Sequence, residues 1–176
     1  MKRQPLKRGS FFNLWMILII ILTLFGTGLY FVYHLYSTTL QNREEQFEQS
    51  KSYILSNKYI KEIKHAEAFH ELESYHIFFG KNVDEEDVIV FLPGSFDEDH
   101  IVVLKQKDII KEQKALETIA KQCSQCQNIN IKPGMINGNP LWEITYFDEH
   151  KRYNMDYISM IDGSRYERLQ LKQTFK

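Results

Sequence analysis

The residues most capable of chemistry are two cysteines three positions apart, in Cys123-Ser124-Gln125-Cys126. A CxxC pair can exchange thiols for a disulfide, because its sulfurs close a short ring and a helix N-terminus stabilises the attacking thiolate. Here the pair falls at the C-terminal end of a predicted helix over 110–122, where the macrodipole opposes a thiolate. Neither Trp nor Pro flanks it in a thioredoxin-like way. A local disulfide between Cys123 and Cys126, or a core role for Cys123, is the simpler expectation in an oxidising compartment. A zinc site would need two more ligands, and no second CxxC or HxxxH occurs.

The other reactive side chains form no constellation. His34, His65, His70, His76, His100 and His150 do not cluster at ligand spacings and read as surface histidines. The acidic runs Asp84-Glu85-Glu86-Asp87 and Asp97-Glu98-Asp99 could hold a cation loosely, but read first as turns. No glycine fingerprint for phosphates, GxSxG or SxxK is present. The sequence therefore predicts no enzyme, no metal, no cofactor and no small-molecule substrate. Aromatic residues reach 14%, enough to build a recognition surface. Tyr153 and Tyr157 are the candidates for one, whereas Trp142 and Tyr146 read as core.

Charge is segregated along the 176 residues. Positions 1–10 hold Lys2, Arg3, Lys7 and Arg8 and no acid; positions 11–33 hold no charge at all. All 23 acidic residues follow. The net charge of −1 leaves no basic excess for nucleic acid. Phe11 to Tyr33 would span about 34 Å as a helix, enough for a hydrocarbon core of about 30 Å. Trp15, Tyr30 and Tyr33 sit toward its edges, where aromatic rings favour headgroups. The basic head predicts a cytoplasmic N-terminus and an extracytoplasmic body in a single-pass cell-membrane protein. A cleaved signal peptide is the rival reading, but its apolar core is shorter.

Beyond the span, 38–57 reads as a helix with Leu40, Phe47 and Ile54 at spacings of seven, a stalk that continues the span. Strands are predicted at 75–79, 87–92 and 100–104, with a weaker edge strand over 61–69. The 110–122 helix follows, with Asp108 as its N-cap, then strands at 128–132, 141–147, 153–160 and 166–172. Asn137-Gly138 and Asp162-Gly163 are hairpin-type turns. Trp142, Ile144 and Tyr146 would share a buried face, with Glu143 and Thr145 on the opposite one.

The two halves repeat. Tyr75, Ile77 and Phe79 precede Trp142, Ile144 and Tyr146 by 67 positions, and Leu104-Lys105-Gln106 precedes Leu171-Lys172-Gln173 by the same offset. The acidic turn Asp97-Glu98-Asp99 precedes Asp162-Gly163-Ser164 by 65. A common offset predicts two copies of one α+β unit, 34–107 with the stalk helix and 108–176, each a helix packed on an antiparallel sheet.

Leu141-Trp142-Glu143-Ile144-Thr145-Tyr146, a polar turn and Tyr153-x-Met155-x-Tyr157-Ile158-x-x-Ile161-Asp162-Gly163 together look like a PepSY-type repeat. With its anchor, the whole chain resembles the TseB/YpmB family of Gram-positive bacteria. That resemblance implies one N-terminal span carrying two cystatin-like domains. It implies a non-enzymatic protein that associates with an elongation-type penicillin-binding transpeptidase and modulates lateral cell-wall synthesis. The family supplies no catalytic residues, and the cysteine pair departs from its pattern. Two other readings stand beside this one, a thiol–disulfide protein using Cys123 and Cys126, and a PepSY-type protease inhibitor.

Overall fold

A computed structural model describes residues 9–71, 73–123 and 125–171. The basic head read from Lys2, Arg3, Lys7 and Arg8 lies outside these, as do Lys172 and Gln173 of the repeat. The chain divides into two compact units, Met1–Gln46 and Phe47–Lys176.

The first unit holds most of α1 (Gly9–Ser56), an uninterrupted helix of 48 residues. Nothing in 9–56 breaks it, since there is no proline and Gly26 and Gly28 are tolerated. Thr23 and Thr27 return their hydroxyls to carbonyls three and four residues back, so both hydroxyls are paired within the helix. The helix is long and apolar enough to cross a membrane, and its apolar side chains from Trp15 to Tyr36 are exposed.

The second unit contains two antiparallel four-stranded sheets in sequential order. The first comprises β1 (Glu62–His70), β2 (Ser74–Lys81), β3 (Asp87–Pro93) and β4 (Val102–Lys105). After α2 (Glu112–Ala120), the second comprises β5 (Gln127–Ile136), β6 (Asn139–Phe147), β7 (Tyr153–Ser159) and β8 (Arg165–Leu171). The repeated positions take equivalent places: Tyr75, Ile77 and Phe79 lie on β2, and Trp142, Ile144 and Tyr146 on β6, each the second strand of its sheet. Asn137 and Gly138 both have positive φ, 50° and 74°, the geometry a two-residue hairpin between β5 and β6 requires.

The apolar residues divide into two clusters, and this division explains the strand sequences. On one face of the first sheet, Phe78, Val88, Val90 and Leu92 pack with Ile54 and Phe47 from the end of α1. On its other face, Tyr75, Ile77, Ile89 and Phe91 join Ala115 and Ile119 of α2 and Trp142, Ile144 and Ile158 of the second sheet. A strand covered on both sides needs an unbroken apolar run, which is why β3 reads Val88-Ile89-Val90-Phe91-Leu92. The second cluster crosses from one sheet to the other. The sheets therefore separate along the chain, while their core does not.

α2 begins at Glu112, two residues later than its sequence suggests. Asp108 does not cap it; the N-cap is Lys111, without a side-chain hydrogen bond. The backbone N–H of Ile110 donates to the Met160 carbonyl at 2.7 Å, and Trp142 Nε1 donates to the Ile110 carbonyl at 2.8 Å. These bonds hold 109–111 extended against the second sheet, so the first helical turn starts at Glu112.

Candidate functional site

β7 and β8 place polarity on the side of the sheet where apolar residues belong. Register puts Asn154, Asp156, Arg168 and Gln170 on the same face as Trp142 and Ile144. Asp156 is 0% exposed. Arg165 Nε reaches one of its oxygens at 2.7 Å and Arg168 Nε at 2.9 Å, and the Tyr146 hydroxyl donates to the other at 2.7 Å. The same burial, with Asp156 next, pushes the Tyr146 phenol up to about 12. Arg165 and Arg168 also donate to Gln122 Oε1, beside the cysteines. Gln170 donates to Asn154 Oδ1 at 2.7 Å.

Beside this network lies a cavity of about 350 Å³, walled by Gln122 and Cys123 from beyond α2 and by Asn154, Arg168 and Gln170. Asp148 also lines it. Burial opposes its charge, but hydrogen bonds from the Arg152 backbone and side chain, Asn154 and the His150 backbone hold its carboxyl down at about 2.

The opposite, outer face carries what is missing inside. Cross-strand register makes two rows there, Phe147–Tyr153–Leu171 and Thr145–Met155–Leu169. Leu169 is 42% exposed and Leu171 61%. Phe147 and Tyr153 meet edge to face at 5.4 Å between ring centres. An antiparallel sheet with one face in water normally alternates apolar-in and polar-out. Here the far half of β7 and β8 is inverted. Leu169 and Leu171 are exposed there, and Phe147, Tyr153 and Met155 are half-buried.

The near half of the outer face is covered from within the body. The Phe69 ring, on β1, lies against Gly134, where an added Cβ would approach it to 2.7 Å. Lys132 Nζ stands 5.5 Å from the centre of that ring and 3.1 Å from Glu143 Oε1. Tyr157 donates to Glu71 Oε1 at 3.2 Å. Glu143 is 2% exposed, and its Oε2 is buried without a hydrogen-bond partner. Burial raises its pKa above the ordinary carboxylate value, with Lys132 opposing.

Several sequence-based expectations change against this geometry. Tyr157 is 1% exposed and donates to Glu71 just beyond β1, so of the two candidate recognition tyrosines only Tyr153 is partly open to solvent. Glu143 and Thr145 do lie opposite Trp142, yet they are buried, because residues of the first sheet and the neighbouring strand cover them. His76 is not a surface residue: it is 6% exposed, 2.6 Å from Ser50 Oγ through Nδ1, with the Phe47 ring edge-on at 5.4 Å. No spacing rule would have found the burial of Tyr157 and His76, since each is met by a segment remote in sequence.

Cys123 and Cys126 form a disulfide with 5.5 Å between Cα atoms, and both are partly buried at the margin of the shared core. The 84–87 acids are largely neutralised. Glu86 meets Lys105 and Lys107 at 2.5 Å each, which together hold its carboxyl down at about 2. Glu85 pairs with Lys61, and Asp87 with Lys64. Among the described residues, no group of three His, Cys, Asp or Glu side chains is placed to hold a metal ion.

No family model matches the chain, and no curated protein matches it. Among solved structures it is similar to the YpmB protein from Bacillus subtilis, with a TM-score of 0.61 and 21% identity. The match covers 70% of this chain and 95% of that one. At this identity the likeness establishes the fold alone: a mixed α+β chain with one long apolar N-terminal helix, two antiparallel four-stranded sheets and a YpmB-like arrangement of the body.

Proposed function

We infer that the protein is a single-pass membrane protein whose extracytoplasmic body binds an elongation-type penicillin-binding protein and modulates peptidoglycan synthesis without catalysing a reaction. The N-terminus is cytoplasmic, and residues 11–33 contact lipid. The tandem cystatin-like, PepSY-type assignment belongs to this reading. The observation that carries it is the inverted polarity of the second sheet. A face bearing Phe147, Tyr153, Met155, Leu169 and Leu171 is built to be covered by protein, and each large apolar side chain so covered contributes about 1.5–3 kcal/mol. The apolar helix supports membrane attachment, and the basic residues before it support the orientation.

A thiol–disulfide function for Cys123 and Cys126 has less support. The pair follows the C-terminal end of α2, where the helix dipole raises the energy of a thiolate. The protease-inhibitor reading rests on fold analogy.

A photo-cross-linker at Tyr153 of the full-length chain in living cells tests the proposal. The expected adduct contains a membrane protein that labelled penicillin acylates. Adducts without any penicillin-reactive protein would overturn it.

A further inference from the structure

The two apolar rows of the second sheet do not stop at a rim; they run out to β8, the last strand. No strand among the described residues pairs with the far edge of β8, and all seven of its residues are exposed. Resting on the partner-binding reading above, we propose that the bound partner adds an extended segment to this edge as a fifth, antiparallel strand.

The edges differ in how well they are protected. β4 is only four residues long, and short edge strands discourage pairing. β1 carries charged pairs at its start, Lys61 with Glu85 and Lys64 with Asp87. β8 is seven residues long, without proline, and its inward arginines are held by Asp156 and Gln122. Inward-pointing charge can guard an edge, but here both guanidiniums are occupied on the inner side. The outward side of the edge presents Glu167, Leu169 and Leu171 at alternate positions.

That series specifies the occupant. Side chains on a paired strand meet those directly opposite, so an added strand places apolar residues against Leu171 and Leu169 and a basic one against Glu167. Glu167 has no ion-pair partner among the described residues. The segment therefore reads apolar–x–apolar–x–basic from its N-terminal end, because antiparallel pairing matches the rest of the sheet. A second copy of β8 fits poorly. A two-fold axis normal to the sheet pairs residues of like parity; it sets Glu167 against a leucine or another Glu167, or, where Leu169 meets Leu171, leaves Glu167 without a partner inside β8.

The test uses the full-length chain in detergent micelles and a synthetic strand peptide with valine, valine and lysine at successive alternate positions. Amide hydrogen exchange across 165–171 should slow by at least about tenfold on saturation. Replacing the peptide lysine by glutamate should weaken binding about tenfold, and Glu167→Lys should restore the glutamate peptide. N-methylation of the backbone nitrogens facing β8 should abolish binding, while N-methylation of the alternate set should not. Unchanged exchange at the highest soluble peptide concentration, or equal tolerance of both N-methylated sets, would overturn strand addition. If capture of a penicillin-reactive protein from Tyr153 survives either result, the partner docks on the sheet face alone, and only this inference falls.

Discussion

Met155 and Asp156 are neighbours in β7 and point to opposite sides of the sheet, with the carboxylate inside and the thioether outside. The arrangement holds because Asp156 is served by two arginines and a tyrosine hydroxyl at once. Asp156 is fully buried while the two guanidiniums are about a third exposed, so the carboxylate is the member whose desolvation must be offset by pairing.

Removing Asp156 should therefore be severe. Asp156→Asn removes the counter-charge that Arg165 and Arg168 share; with both guanidiniums about a third exposed, it should cost roughly 1.5–3 kcal/mol in denaturant unfolding of the full chain. Tyr146→Phe, which removes one neutral donor, should cost about 1 kcal/mol. Similar losses for the two variants would show that the carboxylate is not the organising group.

The outer leucines should behave in the opposite way. Leu169→Lys with Leu171→Lys replaces exposed side chains and should change stability by less than about 0.5 kcal/mol. The same double variant should lose the Tyr153 cross-link. A large fall in melting temperature would mean that the face contributes to the fold instead of to binding.

His76 should make the body acid-sensitive. Burial, reinforced by His70, lowers its pKa below the ordinary 6.5. The folded state thus favours the neutral ring; stability is fully present above 6.5 and is lost as pH falls through the lowered value. Phe47 and Ser50 of α1 pack on this ring, so charging it weakens the grip of the helix end on the first sheet. Melting temperature should drop between about pH 7 and pH 5, and His76→Gln should at least halve that drop. An identical pH profile for the variant would exclude His76 as the cause.

Glu143 should act with the reverse sign. Its pKa is raised above 4.5, so the folded state binds the proton more tightly. Its contribution is most favourable below 4.5 and declines as pH rises through the raised value. Glu143→Gln removes a buried charge while retaining an acceptor for Lys132, and should stabilise the protein by about 1 kcal/mol near pH 8. Near pH 4 the two proteins should be indistinguishable. A variant that is less stable at alkaline pH would show that the ionised pair with Lys132 outweighs burial.

The disulfide closes a loop with a sequence separation of three. On the chain-entropy estimate, so short a loop contributes about 2 kcal/mol. Replacing both cysteines by serine should lower stability by about that amount and leave the Tyr153 adduct intact. Loss of the adduct from a protein that remains folded would instead favour a thiol-dependent function.

Much of the fold is legible in the residues themselves. The uncharged run from Phe11 marks the apolar helix, and turn chemistry at Asn137-Gly138 marks a hairpin. The 67-residue offset locates the second strand of each sheet. Strand boundaries slip where a side chain outside the strand intervenes. His100 falls in a 3-10 turn because Asp97 Oδ1 accepts from the Asp99 N–H, so β4 starts at Val102. The candidate site is less legible. Alternation identifies two faces in β6 but cannot say that Phe69 and Glu71, some seventy residues or more earlier, will cover Glu143 and Tyr157. Nor does any local signal distinguish Tyr153, which stays partly exposed, from Tyr157, which is buried.

The core that passes from Ile77 and Phe91 through Ile119 to Trp142 and Ile158 has a consequence for how such a doubled molecule persists. Neither sheet can be lent out alone, because each closes the other's interior. Cut between 107 and 108, the pieces would behave as two halves of a heterodimer, soluble only in company. The two sheets should therefore melt and tolerate mutation as a single object.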